Sequence, residues 1–151
     1  MNKTFIIFKP DSLQRHLVES LKQEIQSAGF NIENEKSVNV TEALILKHYQ
    51  EVIARVPIPD FKNRILKAFV GKEVICCILS SHHQDTVAAF RTLLGATNPP
   101  EADPQSLRGK YGVDSYDQSK KEERMLNNLI HASDSDENAL KEIDLWFNQA
   151  L

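Results

Sequence analysis

The stretch TFIIFKPDS, residues 4–12, holds the pattern that decides the fold. Its first five residues are β-branched or aromatic and predict a strand, which Pro10 ends. The aspartate and serine that follow are residue types that cap helices. Apolar residues then recur at helical spacing over residues 13–28, and Gly29 ends this predicted helix. The chain therefore begins with a strand that leads directly into one amphipathic helix.

Three further strand patterns lie along the rest of the chain. They cover residues 31–40, 74–79 and 129–131, and helical patterns cover residues 42–49, 61–69, 86–94 and 135–147. A loop rich in glycine and proline spans residues 95–109. This order predicts an α+β fold, namely a ferredoxin-like βαββαβ core in which a four-stranded antiparallel sheet carries additional helices. Many functions share this fold, so the order alone does not indicate one.

Length and composition limit the class of protein. The chain has 151 residues, which predicts one domain over residues 1–151. Its 18 basic and 21 acidic residues give a net charge of −3, which does not favour a protein whose main task is to hold a nucleic-acid backbone. The longest apolar run, residues 74–79, is far shorter than the ~20 residues of a membrane span. The N-terminal apolar stretch is too short for a secretory signal, and the adjacent Cys76 and Cys77 fit packing on opposite faces of a strand, so we expect a cytoplasmic protein.

Basic side chains at two places could hold phosphate groups. Lys9 lies where the first predicted strand ends and a helix begins, and free N–H groups at a helix N-terminus attract anions. Arg91, Thr97 and Arg108 fall on a predicted helix and on the loop that follows it. Two guanidinium groups and a hydroxyl suit a polyphosphate, because arginine pairs with phosphate in bidentate fashion. Taken singly, each of these residues is more typical of a solvated surface.

His131 is the most distinctive single residue. It lies between a predicted strand and the cap of the last predicted helix, where Asp134 and Glu137 have the spacing of a capping box. A neutral imidazole is a good nucleophile near pH 7, because its pKa is about 6.5. Asn128 precedes the histidine closely, and Glu142 on the following helix could orient its ring. A structural histidine at the end of a strand would have the same local pattern.

Motifs along the whole chain resemble the nucleoside diphosphate kinase family. They are TFIIFKPDSLQR at 4–15, HY at 48–49, FRTLLGATNPPEADP at 90–104, LRG at 107–109 and NLIHASDSDENALKEIDLWF at 128–147. The last segment is the most specific, since it is close to the family pattern N-x-x-H-G-S-D-S followed by a helix that ends E-I-x-x-W-F. The resemblance implies a ping-pong reaction, in which the γ-phosphoryl group passes from a nucleoside triphosphate to a nucleoside diphosphate through a phosphohistidine.

The resemblance also implies a role for each matching residue. His131 corresponds to the nucleophile, Glu142 to the glutamate that hydrogen-bonds it, and Ser133 to a serine nearby. The residues that would hold the phosphates and sugar of the nucleotide are Lys9, Tyr49, Arg91, Thr97, Arg108 and Asn128, and Lys9 would also act in catalysis.

The cofactor and partners follow from the same resemblance. Mg²⁺ would be carried by the nucleotide phosphates with few or no protein ligands, as is usual for this ion. The partners would be nucleoside triphosphates and diphosphates, ATP/ADP and GTP/GDP among them, with no membrane and no nucleic acid required. Further copies of the chain would form a homo-oligomer. The short tail after Phe147 favours a dimer or tetramer over a hexamer.

One departure from the family pattern concerns the base of the nucleotide. Family members carry a phenylalanine that stacks on the base, and counting from Tyr49 places Pro57 at that position. A proline offers no π system, so we expect weaker nucleotide binding than in members with the ring. Tyr111 or Tyr116 could supply an aromatic surface instead, and the sequence leaves both alternatives open.

Two further departures lie near Arg108. Gln105 replaces a glycine of the family pattern in the preceding loop. The segment that follows, residues 110–127, is longer than in most members, and we refer to it as the long segment. Within it, residues 119–124 have a capping-box spacing that predicts a short helix. This helix could border the nucleotide cleft, or the segment could be a solvated excursion at the surface, and the sequence leaves both alternatives open.

Two other functional classes fit parts of the sequence. A kinase-like module that only binds or regulates would keep the fold, but the complete set of matching site residues argues against it. A single-stranded nucleic-acid binder on a ferredoxin-like sheet needs exposed aromatic residues and a basic groove. Aromatic residues make up 7% of this chain and the net charge is −3, so this class is disfavoured.

Overall fold

Four strands form one antiparallel sheet. In this computed structural model, which describes residues 2–149, they are β1 (Lys3–Phe8), β2 (Phe30–Asn39), β3 (Glu73–Ser81) and β4 (Ile130–Ala132). Their order in the sheet is β2-β3-β1-β4, and every neighbouring pair is antiparallel. The predicted α+β architecture with a ferredoxin-like core is therefore confirmed.

Nine α-helices accompany the sheet in the described part of the chain. They are α1 (Pro10–Gln14), α2 (Val18–Ser27), α3 (Glu42–His48), α4 (Gln50–Arg55), α5 (Phe61–Phe69), α6 (Thr86–Leu94), α7 (Leu107–Tyr111), α8 (Tyr116–Lys121) and α9 (Asp136–Ile143). A 3₁₀ turn at Pro99–Glu101 interrupts the predicted loop over 95–109, and α7 begins within it. Between residues 2 and 149, no helix combines the length and apolar character needed to cross a membrane.

Alternate residues of β1 belong to two different hydrophobic clusters. Ile6 and Phe8 pack in the first hydrophobic cluster, and Phe5 and Ile7 pack in the second. Because successive side chains of a strand point to opposite faces, the two clusters cover the two faces of the sheet. Cys76 and Cys77 on β3 are divided in the same way, and burial raises the pKa of both thiols, so the predicted packing role of these cysteines holds. The central strands β1 and β3 are therefore buried on both sides.

The first predicted helix is wrong in two respects. The structure divides it into α1 and α2 at His16, whose φ of 57° is left-handed. Leu13 and Leu17 pack on the same cluster on either side of the break, so apolar spacing continues across it and cannot reveal it. The predicted caps also fail, because the Ser12 hydroxyl donates to the Lys9 carbonyl and the Asp11 carboxylate accepts from the Leu129 amide instead.

Helix caps elsewhere are also misplaced in the sequence prediction. α9 is capped by Ser135, which accepts from the Asn138 amide at 3.1 Å, whereas Asp134 binds only the Asn138 side chain. α8 begins earlier than the predicted 119–124, because Ser115 caps it. In both cases a nearby serine supplies the cap. The last predicted helix, 135–147, stops at Ile143 and continues as a π-helical turn over Asp144–Asn148. Leu140, which the periodicity places on the apolar face, is 59% exposed.

Candidate active site

A strained turn positions the strand that carries His131. Leu129 has a φ of 77°, and the Ile130 amide donates to the Asn128 carbonyl at 2.9 Å, which closes a three-residue γ-turn. The Leu129 amide donates to Asp11 at 3.1 Å, and its carbonyl accepts from the Lys9 amide at 2.9 Å. A left-handed leucine costs about 1–3 kcal/mol and persists only where its surroundings hold it. The turn thereby joins the end of β1 to the start of β4.

The ring of His131 is held by Glu142 from one side. Its Nε2 lies 3.1 and 3.0 Å from the two carboxylate oxygens, and Ser133 donates its hydroxyl proton to the same carboxylate. Burial alone would raise the pKa of Glu142, but His131, His48 and Ser133 together hold that pKa at about 2. A deprotonated carboxylate only accepts hydrogen bonds, so Nε2 of His131 must carry the proton. The lone pair is then on Nδ1.

His48 packs against this pair as a neutral imidazole. The His48 and His131 rings lie 4.5 Å apart at an angle of 79°. Burial, followed by the proximity of His131 and Lys9, lowers the pKa of His48 to about 3. Trp146 donates its indole N–H to Nδ1 of His48 at 3.0 Å, which fixes the His48 proton on Nε2. The 3.8 Å approach of Nδ1 to Glu142 is therefore not an ion pair.

The sequence predicts only a packing role for His48 on its short helix, although His48 lies inside the site. Its environment is created by Trp146 and His131, which are far from it along the chain. Neither helical spacing nor charge pattern reports such a contact. The sequence signal that could have found it is the HY pair at 48–49, in which only Tyr49 is predicted as a site residue.

Lys9 is buried beside the strained turn. Its ammonium group donates to the Leu126 carbonyl at 3.0 Å and to the Asn128 side-chain oxygen at 2.9 Å. Burial and the neighbouring Arg108 lower the pKa of Lys9 to about 8, against the opposing effect of Asp11 and Asp114. Lys9 is therefore mostly protonated at neutral pH and loses its proton as the pH rises through about 8.

Arg108 is a structural as well as an electrostatic element. Its guanidinium donates to the carbonyls of Asn128 at 3.1 Å, Gly95 at 3.2 Å and Ile130 at 2.6 Å. Burial and then Arg91 lower its pKa to about 10, so it stays charged near neutrality. Gly95 ends α6 with a φ of 92°, a conformation that favours glycine. The arginine thus ties α6, the turn and β4 together.

All eight predicted site residues line one cleft of about 1340 Å³. They are Lys9, Tyr49, Arg91, Thr97, Arg108, Asn128, His131 and Glu142. Arg91 donates to the Ala132 carbonyl at 3.2 Å, and the Asn128 amide group donates to the Thr97 carbonyl at 3.0 Å. Tyr49 is enclosed by the rings of His48 and Phe69, and burial raises its pKa. Three cationic side chains therefore converge beside a histidine whose Nε2 is engaged by Glu142.

The whole chain is similar to the proteins of one enzyme family. The family model described as nucleoside diphosphate kinase matches residues 2–151. The chain belongs to the nucleoside diphosphate kinase family. Its reaction is the family's: the γ-phosphoryl group of a nucleoside triphosphate passes to a nucleoside diphosphate by a ping-pong mechanism through a phosphohistidine. The substrates are nucleoside di- and triphosphates, used with a divalent cation.

Individual relatives span nearly the whole chain. The nucleoside diphosphate kinase of Synechococcus sp. (strain JA-3-3Ab) is 35% identical over 150 residues, which cover 99% of this chain and 90% of that protein. That of Streptococcus pneumoniae (strain Hungary19A-6) is 34% identical over 148 residues, covering 97% and 100%. The solved enzyme from Borrelia burgdorferi has a TM-score of 0.89 and 28% identity, covering 97% of this chain and 87% of that one. That structure is a transition-state mimic with bound vanadate and ADP.

The residues that depart from the nucleoside diphosphate kinase pattern lie at defined places around the cleft. Pro57 lines the cleft, together with Val56 and Ile58. Tyr116 also lines the cleft, whereas Tyr111 does not, because its hydroxyl donates to Glu24 and its ring packs on the first hydrophobic cluster. The structure thus distinguishes the two tyrosines that the sequence leaves as alternatives.

Proposed function

We propose that Nδ1 of His131 is the nucleophile of the transfer reaction. Nδ1 attacks the γ-phosphorus, a nitrogen–phosphorus bond forms, and the bond from the γ-phosphorus to the bridging oxygen breaks as the diphosphate leaves. A second diphosphate then attacks the phosphohistidine and regenerates the free ring. The observation that carries this proposal is the engagement of Nε2 by Glu142, which leaves the lone pair on Nδ1. The covalent step divides one difficult transfer into two easier ones.

Glu142 stabilises the ring when it becomes positively charged. Formation of the bond at Nδ1 puts a positive charge on the imidazole while Nε2 keeps its proton. The carboxylate, whose pKa is about 2, lies within hydrogen-bond distance of Nε2 and would balance that charge. Ser133 links this carboxylate to β1. Its hydroxyl donates to Glu142 and also lies 3.3 Å from the Phe5 carbonyl oxygen.

The cationic side chains stabilise the transferred group. Lys9, Arg91 and Arg108 would bind the phosphate oxygens, with Thr97, Asn128 and Tyr49 completing the contacts to phosphate and sugar. Phosphoryl transfer requires mainly positioning and charge stabilisation from a protein. Lys9 and Arg108 are already held by backbone carbonyls, so little reorganisation is needed when the substrate enters.

The divalent cation is Mg²⁺ carried by the nucleotide. Between residues 2 and 149 the group with metal-ligand spacing is His48, His131 and Glu142, whose potential ligand atoms lie within 4.8 Å of one another. Two imidazole nitrogens suit zinc better than magnesium, which prefers oxygen ligands. The ion would therefore be held by the β- and γ-phosphates and water, where it would neutralise charge on the phosphate oxygens.

The chain acts as one domain, residues 1–151, in a cytoplasmic homo-oligomer. β2 lies at the edge of the sheet, spans ten residues and is mostly exposed. Long exposed edge strands tend to pair with other chains. The exposed edge strand therefore supports the predicted homo-oligomer, in which β2 would pair between two copies.

The formation of phosphohistidine tests this function directly. We expect label from γ-³²P-ATP to remain on the protein after an alkaline quench and to be lost in acid. Addition of an unlabelled nucleoside diphosphate should remove the label as labelled triphosphate. A protein that binds nucleotide but takes up no label would be a binding module with the same fold, and the proposed mechanism would be wrong.

Glu142→Gln should lower kcat about 10- to 100-fold. The neutral amide keeps the shape of the carboxylate but cannot balance the charge of the phosphorylated ring, and losing a group that orients a histidine commonly costs this much. The pH profile should change as well, because the histidine loses its anionic partner. The matched control is Glu137→Gln on the same helix, whose side chain is 79% exposed. Equal activity of the two variants would remove Glu142 from the mechanism.

A further inference from the structure

The cleft has two walls beyond its cationic end. One wall is formed by the end of α4 and the turn before α5, where Pro57 and Ile58 lie. The other is formed by α8, which belongs to the long segment and contributes Tyr116, Ser119 and Lys120. A nucleotide whose phosphates lie beside His131 must direct its base between these walls.

Large exposed apolar side chains mark the two walls. Among residues 2–149 there are five of them, and two line the cleft: Ile58, 41% exposed, and Tyr116, 49% exposed. Ile58 belongs to the first of these walls and Tyr116 to the second. Other rings of the cleft are less available, since Tyr49 is enclosed by His48 and Phe69, and Phe61 packs on the second hydrophobic cluster.

Tyr116 is held by its backbone and leaves its ring free. Its amide donates to the Asn98 side chain at 2.9 Å, and its carbonyl accepts from the Ser119 hydroxyl at 3.1 Å. Ser115, directly before it, caps α8. A ring on a fixed backbone loses little conformational freedom when a ligand binds.

An ion pair between Arg124 and Asp114 holds the long segment together on either side of α8. The two terminal nitrogens of Arg124 lie 2.7 and 2.9 Å from the two carboxylate oxygens of the buried Asp114, which also accepts from the Asn127 amide at 2.8 Å. The next residue, Asn128, binds Lys9 and Arg108. The segment is thus fixed to the cationic end of the cleft, so the position of Tyr116 is coupled to that of the phosphates.

We propose that Tyr116 stacks on the base of the bound nucleotide, with Ile58 as the aliphatic surface on the opposite side. The proposal rests on the proposed function only in requiring that phosphates lie beside His131. Stacking on a π face tolerates any base, so the long segment supplies affinity without selecting one nucleotide. The absence of an aromatic ring at Pro57 then costs less affinity than the sequence alone predicts.

The test compares ligands with and without a base. We expect Tyr116→Ala to raise the Kd for ADP about tenfold by calorimetry and to leave the Kd for inorganic tripolyphosphate within twofold. Tyr116→Phe should restore the ADP affinity to within twofold of the parent, because the ring and not the hydroxyl carries the contact. Ile58→Ala should raise the Kd for ADP about threefold.

Val113→Ala is the matched control. Val113 belongs to the same segment and is 79% exposed, but it lines a separate groove outside the cleft. It should bind ADP as the parent does. The proposal is overturned if Tyr116→Ala binds ADP within twofold of the parent, or if it weakens tripolyphosphate equally, which would indicate damage to the segment. Either result leaves the function intact as long as the parent forms phosphohistidine, so the two failures are distinguishable.

Discussion

Replacement of His131 by alanine should lower phosphoryl exchange by more than about a thousandfold. A covalent mechanism has no route once its nucleophile is gone, and loss of a nucleophile in other covalent enzymes has effects of this size or larger. The side chain is 21% exposed and faces the cleft, so its removal should leave the fold intact. Exchange is measured with ATP and a second diphosphate, and the fold by circular dichroism and thermal melting.

The control for this variant is His82→Ala, which alters an exposed histidine outside the site. It should keep the activity and the melting temperature of the parent. Exchange by His131→Ala within tenfold of the parent, with the fold preserved, would exclude His131 as the nucleophile.

Lys9→Met should lower kcat about a hundredfold or more while changing the Kd for ADP less than fivefold. A buried cation acts most strongly where charge redistributes in the transition state, and one such group commonly contributes a factor of about 10² to 10³. Arg108 is a less suitable test, because its removal would also leave three backbone carbonyls without their donor.

The pH profile gives a second readout for Lys9. Its pKa is lowered to about 8, so the free enzyme loses this charge as the pH rises through 8, and kcat/KM should fall on the alkaline side. Lys9→Met should lack this alkaline limb. Lys3→Met, which alters an exposed lysine at the start of β1, the strand that precedes Lys9, should keep both the rate and the alkaline limb. If Lys9→Met changed KM but not kcat, Lys9 would bind the substrate and the transition state equally well, and it would have no specific role in catalysis.

The sheet was predictable because its strands carry strong local patterns. β1 and β3 are continuous β-branched or apolar runs, and both lie at the centre of the sheet. The helix boundaries were less predictable, because α1 and α2 share one apolar face across the break at His16. The predicted helix caps were wrong where two candidate residues are adjacent in sequence, as Asp134 and Ser135 are, because only the backbone geometry decides which side chain caps the helix.

The membership of the cleft could be predicted from motifs, but its physical state could not. Eight residues from distant motifs meet in one cleft, as the resemblance implies. The tautomer of His131, the neutrality of His48 and the lowered pKa of Lys9 arise from burial and from contacts between distant residues. Such contacts leave no trace in spacing or composition, because they depend on how the sheet and helices pack.

The strained turn at Leu129 also constrains how this chain can vary. The left-handed backbone there would be easier for glycine, yet the leucine side chain is completely buried in the first hydrophobic cluster. A glycine would relieve the backbone and empty part of the core, whereas a β-branched residue would fill the core and worsen the backbone. The backbone conformation at this position favours glycine, whereas the core requires a large apolar side chain, so few residues other than leucine satisfy both requirements. We therefore expect few substitutions to be tolerated at this position, even though Leu129 does not line the cleft.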